Sequence, residues 1–274
     1  MDKVRCLAVW GARIVLASCT IACGDRQSSV PPPQKPAVVA SAPQVQSNTP
    51  AAPPLVPVEQ IPGDKEGTIG VENTSGRSGA FYVPHLSSLD APPLLVILHG
   101  TGQSGADMVA TFRDLARTRH FAIIAPDSRD HDGQLTWEVG DKQGDVTPDL
   151  THTMDCIAWV RSHVGFSEDE SHVLIAGYSG GGSSAPYIAS NRPGFTHTAV
   201  LHGGVFPGGI GSRRMPAWFS TGEDDRIRPV TLVKQSADAL AALGFTDVTF
   251  HAYPGRHGLS DAELRELIDW WLSH

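Results

Sequence analysis

Gly177, Tyr178, Ser179, Gly180 and Gly181 form a Gly-x-Ser-x-Gly pattern that directly follows the apolar run Val173, Leu174, Ile175 and Ala176. A strand that turns sharply into a helix at such a serine holds it in a strained backbone conformation with its hydroxyl pointing outward, and the flanking glycines leave room for a close substrate approach. A serine hydroxyl is a poor nucleophile at neutral pH. It needs a histidine to accept its proton and a carboxylate to hold that histidine in the right tautomer. With 28 glycines among 274 residues the pentapeptide alone is a weak signal. Its meaning rests on whether later segments supply the partners.

Both partners are available downstream, in the order acid then base. The apolar run Ala217 to Ser220 leads into Thr221, Gly222, Glu223, Asp224 and Asp225, so three carboxylates compete for the acid's role. After the run Val248 to Tyr253 comes Pro254, Gly255, Arg256, His257 and Gly258, which puts His257 in a Gly-rich loop behind the last strand, where a general base is expected. A tetrahedral intermediate also needs two donors for its oxyanion. The N–H of Gly180, just after the serine, is one candidate, and the loop Leu98, His99, Gly100, Thr101 and Gly102 offers the N–H of Thr101 as the other. His99 is expected to brace that turn rather than to transfer protons.

The elements that must position these groups alternate between β-rich runs and helical patterns, which predicts an α/β fold with a largely parallel sheet. Strands are expected at Gly79 to Val83, Leu94 to Leu98, Phe121 to Ala125, Val173 to Ala176, Ala199 to Leu201, Ala217 to Ser220 and Val248 to Tyr253. Helices are expected at Ser104 to Arg119, Asp149 to His163, Ser183 to Asn191, Pro229 to Leu243 and Asp261 to Leu272, the second carrying Leu150, Met154, Ile157, Ala158 and Val160 at helical spacing. These elements make one sheet domain over residues 67–274.

The chain ahead of that domain differs in composition. Lys3, Arg5 and Arg13 precede the apolar run Ile14 to Ala17, and Leu16, Ala17, Ser18 and Cys19 resemble the lipobox of a bacterial lipoprotein signal over residues 1–23. Cys19 is the expected lipidation site and Cys23 the alternative. Residues 24–66 are rich in Pro, Ala, Ser, Val and Gln and are expected to form a disordered tether. The implied location is the cell envelope, periplasmic or outer face, held by a lipid anchor, with a secreted protein as the alternative.

Composition narrows the function classes. A net charge of −8 leaves no basic stripe for nucleic acid. Cys156 is the one cysteine of the folded part, so no disulfide framework is expected there, and its apolar helical neighbours mark it as a small core residue. No Cys and His set has structural zinc spacing, and no metal is expected.

Phe81 to Pro84, Leu98 to Gly100, Ala125 to Arg129, Thr136 and Trp137, the Ser179 turn, Gly222 to Pro229 and His257 together resemble the α/β-hydrolase superfamily. More narrowly they are similar to serine esterases of the phospholipase/carboxylesterase-like and polyhydroxybutyrate depolymerase or feruloyl esterase-like groups. The resemblance implies Asp225 as the acid, since it stands three residues after Gly222 and four before Pro229. It further implies hydrolysis of a carboxylic ester through an acyl-enzyme, with no metal or organic cofactor. Arg256 stands where relatives often have a further glycine, and the short stretch between Leu201 and Ala217 leaves no room for a large lid domain. An open pocket walled by Thr101, Trp137, Tyr178 and Phe206 is expected, suited to short-chain or aromatic esters, small or polymeric. Acyl transfer, peptide cleavage on the same fold, and a catalytically silent envelope binding protein are the rival readings. The oligomeric state is not encoded in any pattern, and a monomer is favoured.

Overall fold

A computed structural model describes residues 63–71, 77–85, 91–131, 134–165 and 167–274. The signal segment, nearly all of the tether, Cys19 and Cys23 lie outside the described residues.

The main sheet has eight strands. In chain order they are β1 (Lys65–Thr68), β2 (Gly79–Val83), β3 (Leu94–Leu98), β4 (Ala122–Pro126), β7 (Val173–Tyr178), β8 (His197–Leu201), β9 (Pro216–Gly222) and β10 (Thr246–Tyr253), with a small hairpin of β5 (Arg129–His131) and β6 (Gln134–Thr136) between β4 and β7. Their spatial order is β1-β2-β4-β3-β7-β8-β9-β10. The pairs β1 with β2 and β2 with β4 are antiparallel, and β4, β3, β7, β8, β9 and β10 run parallel. Among the described residues five helices cover the sheet: α1 (Gly105–Arg119), α2 (Pro148–Val160), α3 (Gly180–Asn191), α4 (Val230–Ala242) and α5 (Asp261–Ser273).

The strand sequences follow from burial on both faces. In β3 every residue is buried, because Leu94, Val96 and Leu98 pack on one side while Leu95 and Ile97 pack on the other. On the first side lie Leu150, Ile157 and Val160 of α2, Tyr187 and Ile188 of α3, and Val233 and Leu240 of α4. On the second lie Met108 and Phe112 of α1 and Leu267, Ile268 and Trp271 of α5. A sheet so covered is a parallel α/β sheet, as the alternation of elements predicts.

Three differences from the sequence reading have local causes. β1 begins at Lys65, inside the stretch expected to be tether, because an edge strand needs only its backbone to pair with β2 and leaves Lys65, Glu66 and Thr68 exposed. The β5–β6 hairpin has no apolar alternation to announce it. The helix expected to reach His163 gives way after Val160 to a π turn over Arg161–Gly165, which ends at Gly165 in a left-handed conformation.

Trp271 tests the second face of the sheet. It is fully buried and meets Phe121 edge to face with ring centroids 5.5 Å apart. Trp271→Ala should cost about 3–5 kcal/mol, read as a lower urea midpoint at unchanged slope.

Candidate active site

The ends of β3, β7, β8, β9 and β10 point the same way, so the loops that follow them gather at one edge of the sheet, the carboxyl edge where open α/β sheets bind ligands. Ser179 sits between β7 and α3 with φ 51° and ψ −111°, a conformation that costs a non-glycine residue energy and needs support from its surroundings. Its N–H donates to the carbonyl of Leu201 at 2.8 Å. The two flanking glycines let the chain fold back on itself here: a methyl group on Gly177 would lie 2.1 Å from the carbonyl oxygen of Gly181, and one on Gly181 would lie 2.4 Å from that of Leu98.

The structure brings Ser179, His257 and Asp225 into one relay. His257 Nε2 lies 2.9 Å from Ser179 Oγ, and His257 Nδ1 lies 2.7 Å from Asp225 Oδ2. The carboxylate can only accept, so Nδ1 carries the proton and Nε2 is free to accept from the serine hydroxyl. Of the three competing carboxylates only Asp225 is buried; Glu223 and Asp224 are exposed. The acid and base loops are also tied together, since the N–H groups of Glu223 and Asp224 donate to the carbonyls of Tyr253 and Gly255, each at 2.8 Å.

Asp225 is held by more than its histidine. Oδ1 accepts from the N–H groups of Ile227 at 2.8 Å and Arg228 at 2.7 Å, and Oδ2 also accepts from Thr221 Oγ1 at 3.3 Å. Burial by itself would raise the Asp225 carboxyl, but the hydrogen bonds from Arg228 N–H, His202 and His257 outweigh it and hold the group down at about 2.

His202, which sequence reasoning missed, is the second histidine on this carboxylate. Its Nδ1 lies 2.8 Å from Asp225 Oδ2 and its Nε2 lies 3.3 Å from Oε2 of Glu263, both partners being buried. Burial would lower this imidazole, yet its hydrogen bonds to Glu263 and Asp225 prevail and raise it above the ordinary value. Position just after β8 is the one signal that could have found it. His202, Asp225 and His257 could each offer a ligand atom within 4.8 Å of the others, but those nitrogens already face carboxylate oxygens as hydrogen-bond donors, so the grouping reads as a relay.

The expected oxyanion donors also come together. A methyl group added to Gly180 would lie 2.8 Å from Thr101 Oγ1 and 3.5 Å from Thr101 N, so the two residues are neighbours. The loop beneath them is fixed by backbone bonds to His99: Nδ1 lies 2.8 Å from the Gly100 carbonyl, and Nε2 accepts from Ser128 N–H at 3.0 Å. Burial lowers the His99 imidazole, in keeping with a neutral ring that braces the turn. Cys156 is buried, and burial pushes its thiol up, away from the reactive thiolate.

The pocket residues divide. Trp137 donates from Nε1 to the His99 carbonyl at 2.7 Å. With Val139, Asp141, Phe206 and Pro207 it lines an open cavity of roughly 460 Å³, whose walls include neither Thr101 nor Ser179 or His257. Phe206 is 57% exposed, so its ring is available to a ligand rather than used in the core. Tyr178 does not line that cavity. Its hydroxyl donates to the His257 carbonyl at 3.2 Å and its ring lies 5.4 Å from the His257 ring, so it braces the base loop instead. The connection from β8 to β9 contains one short 3₁₀ turn, Pro207–Gly209, and no lid domain.

The fold is that of the α/β-hydrolase class. Residues 77–256 match the family model described as Esterase PHB depolymerase, and the chain belongs to that family. Among solved structures it is similar to esterase PE8, at 19% identity over 72% of this chain and 98% of that one, with a TM-score of 0.54. It is similar to acyl-protein thioesterase 2 of Zea mays, at 17% identity over 76% and 98% with a TM-score of 0.52, and to an acylaminoacyl peptidase of Pyrococcus horikoshii, at 14% identity over 76% and 40% with a TM-score of 0.55. At such identities these likenesses concern the fold. No curated protein sequence matches the chain.

The depressed Asp225 carboxyl links this site to stability. A carboxyl lowered from 3.8 to about 2 stabilises the fold above its unfolded value and loses that contribution as pH falls through the folded one. Wild type should therefore lose about 2 kcal/mol from this group between about pH 4 and pH 2. Asp225→Asn should lack that part of the decline in urea unfolding measured across the same range.

Proposed function

We propose that the protein hydrolyses carboxylic esters of short-chain or aromatic acids, with Ser179 as nucleophile, His257 as general base and acid, and Asp225 as the group that orients His257. The observation that carries this reading is the unbroken relay from Ser179 Oγ through both nitrogens of His257 to the buried Asp225 carboxylate. As Ser179 Oγ bonds to the ester carbonyl carbon, its proton passes to His257 Nε2, and the carbonyl oxygen takes negative charge facing the N–H groups of Gly180 and Thr101. Collapse of that intermediate breaks the bond to the alcohol oxygen, which leaves with the proton from His257. A water then repeats the sequence on the acyl-enzyme, its proton going to His257 and the acid product being released from Ser179.

Trp137 and Phe206 support the choice of substrate. Two aromatic faces on an open cavity suit a flat aromatic acyl group or a short chain. Ser179→Ala should abolish fluorophosphonate labelling and lower p-nitrophenyl acetate turnover by at least about 10³-fold. Phe206→Ala should raise KM for feruloyl and other aromatic esters more than for acetyl esters. Faster turnover of long-chain than of short-chain p-nitrophenyl esters would contradict the substrate assignment.

The same proposal extends to location. A lipid on Cys19, or alternatively on Cys23, would hold the catalytic domain at an envelope membrane through the Pro-rich segment. Metabolic labelling with palmitate should mark the wild type and be lost in Cys19→Ser; labelling kept in that variant and lost in Cys23→Ser moves the anchor to Cys23.

A further inference from the structure

His202 is not needed for the relay from Ser179 to Asp225, yet the fold builds it in at a cost. Its backbone has φ 51°, a left-handed conformation unfavourable for a histidine. Its N–H donates to the Ser220 carbonyl at 2.8 Å, which fixes the strained residue at the end of β8. The side chain thus turned inward is 1% exposed.

Each of its ring nitrogens faces an acceptor. Nδ1 meets Asp225 Oδ2 at 2.8 Å and Nε2 meets Glu263 Oε2 at 3.3 Å. Glu263 is an acceptor at its other contacts too: Oε1 takes the Ser220 hydroxyl at 2.6 Å, and Oε2 takes the Ser260 N–H at 3.3 Å. An imidazole that donates from both nitrogens carries both protons and a positive charge. The groups facing it from every side are Asp225 after β9, Glu263 on α5, the Tyr178 ring 5.8 Å away at the end of β7, and the His257 ring 5.4 Å away after β10. Tyr178 stays a neutral phenol, since burial and then the nearby Asp225 and Glu263 charges raise it.

Resting on the reading of Ser179, His257 and Asp225 given above, we infer that His202 is a positioning residue held as an imidazolium between Asp225 and Glu263, and that its charge sets the pH range in which His257 is a competent base. The physical step is short. A fixed positive charge beside Asp225 offsets part of the carboxylate's pull on a second proton at His257, which favours the ring that can accept from Ser179. Glu263 balances the fixed charge and lets it persist in a buried place. Its raised proton affinity supports the same assignment.

The test is the pH dependence of kcat/KM on a short-chain ester, whose acidic limb reports the free enzyme's base. His202→Gln removes the cation and leaves Glu263 unbalanced. Its acidic limb should move up by roughly one pH unit. In His202→Gln/Glu263→Gln both charges are gone, and a smaller upward shift is expected together with a higher urea midpoint than the single variant. A limb that stays at the wild-type position in either variant, with turnover reduced equally at every pH, would overturn the inference and leave His202 a packing residue. Where neither variant folds, ¹⁵N-histidine spectra of the wild type decide: one buried ring should keep both nitrogens protonated to higher pH than a free imidazole does, and the absence of such a ring overturns the assignment. The spectra do not depend on turnover, whereas ester hydrolysis surviving Ser179→Ala would sink the functional reading itself.

Discussion

The site depends on the backbone at Ser179 being forced into a conformation that the serine would not adopt by itself. A strand ending at Tyr178 and a helix starting at Gly180 can meet there only because two glycines let the chain pass within contact distance of itself and of the Leu98 carbonyl. The hydrogen bond from Ser179 N–H to Leu201 then anchors the turn to β8. The same geometry sets Gly180 beside Thr101, so on the proposed reading nucleophile and oxyanion donors are placed by one constraint and cannot be adjusted separately. Everything contributed by β9 and β10 converges on a point already fixed by β3, β7 and β8.

The acid and base loops reach that point by being locked to each other. Two backbone bonds join the segment after β9 to the segment after β10, and Tyr178 reaches from β7 to the His257 carbonyl. The His257 ring is therefore held on three sides: by Asp225 through Nδ1, by the tilted Tyr178 ring beside it, and by Ser179 through Nε2. On the proposed mechanism, preorganisation of this kind removes the reorganisation a mobile imidazole would need in the transition state.

Sequence carried those parts whose signal is local. The run Leu94 to Leu98 is apolar throughout because both faces of its strand are covered, and the serine turn announces itself by its glycines. Where the pairing is made by backbone alone, as in β1, or the element is three residues long, as in β5 and β6, composition offers nothing to read. Among Glu223, Asp224 and Asp225 the choice is one of burial, which depends on how the loop folds over the end of the sheet. Tyr178 is expected as a pocket wall, and nothing local in the sequence announces that its hydroxyl reaches the His257 carbonyl 79 residues away.

Glu263 shows most clearly why the deeper part of the site was hidden. Ser260 and Glu263 form a capping box at the start of α5, which accounts fully for a glutamate at that position by a local rule. The cap, however, buries the carboxylate completely, and an ionised group so placed is costly unless a cation meets it. The same side chain thus has two roles: it caps the start of a helix and it creates a demand for positive charge beneath the Asp225 carboxylate. His202 answers that demand only because β8 and α5 are neighbours of β9 in space, a fact of topology. The helix cap, the strained turn after β8 and the buried acid are one charge-balanced unit, and changing any of them should be felt at His257.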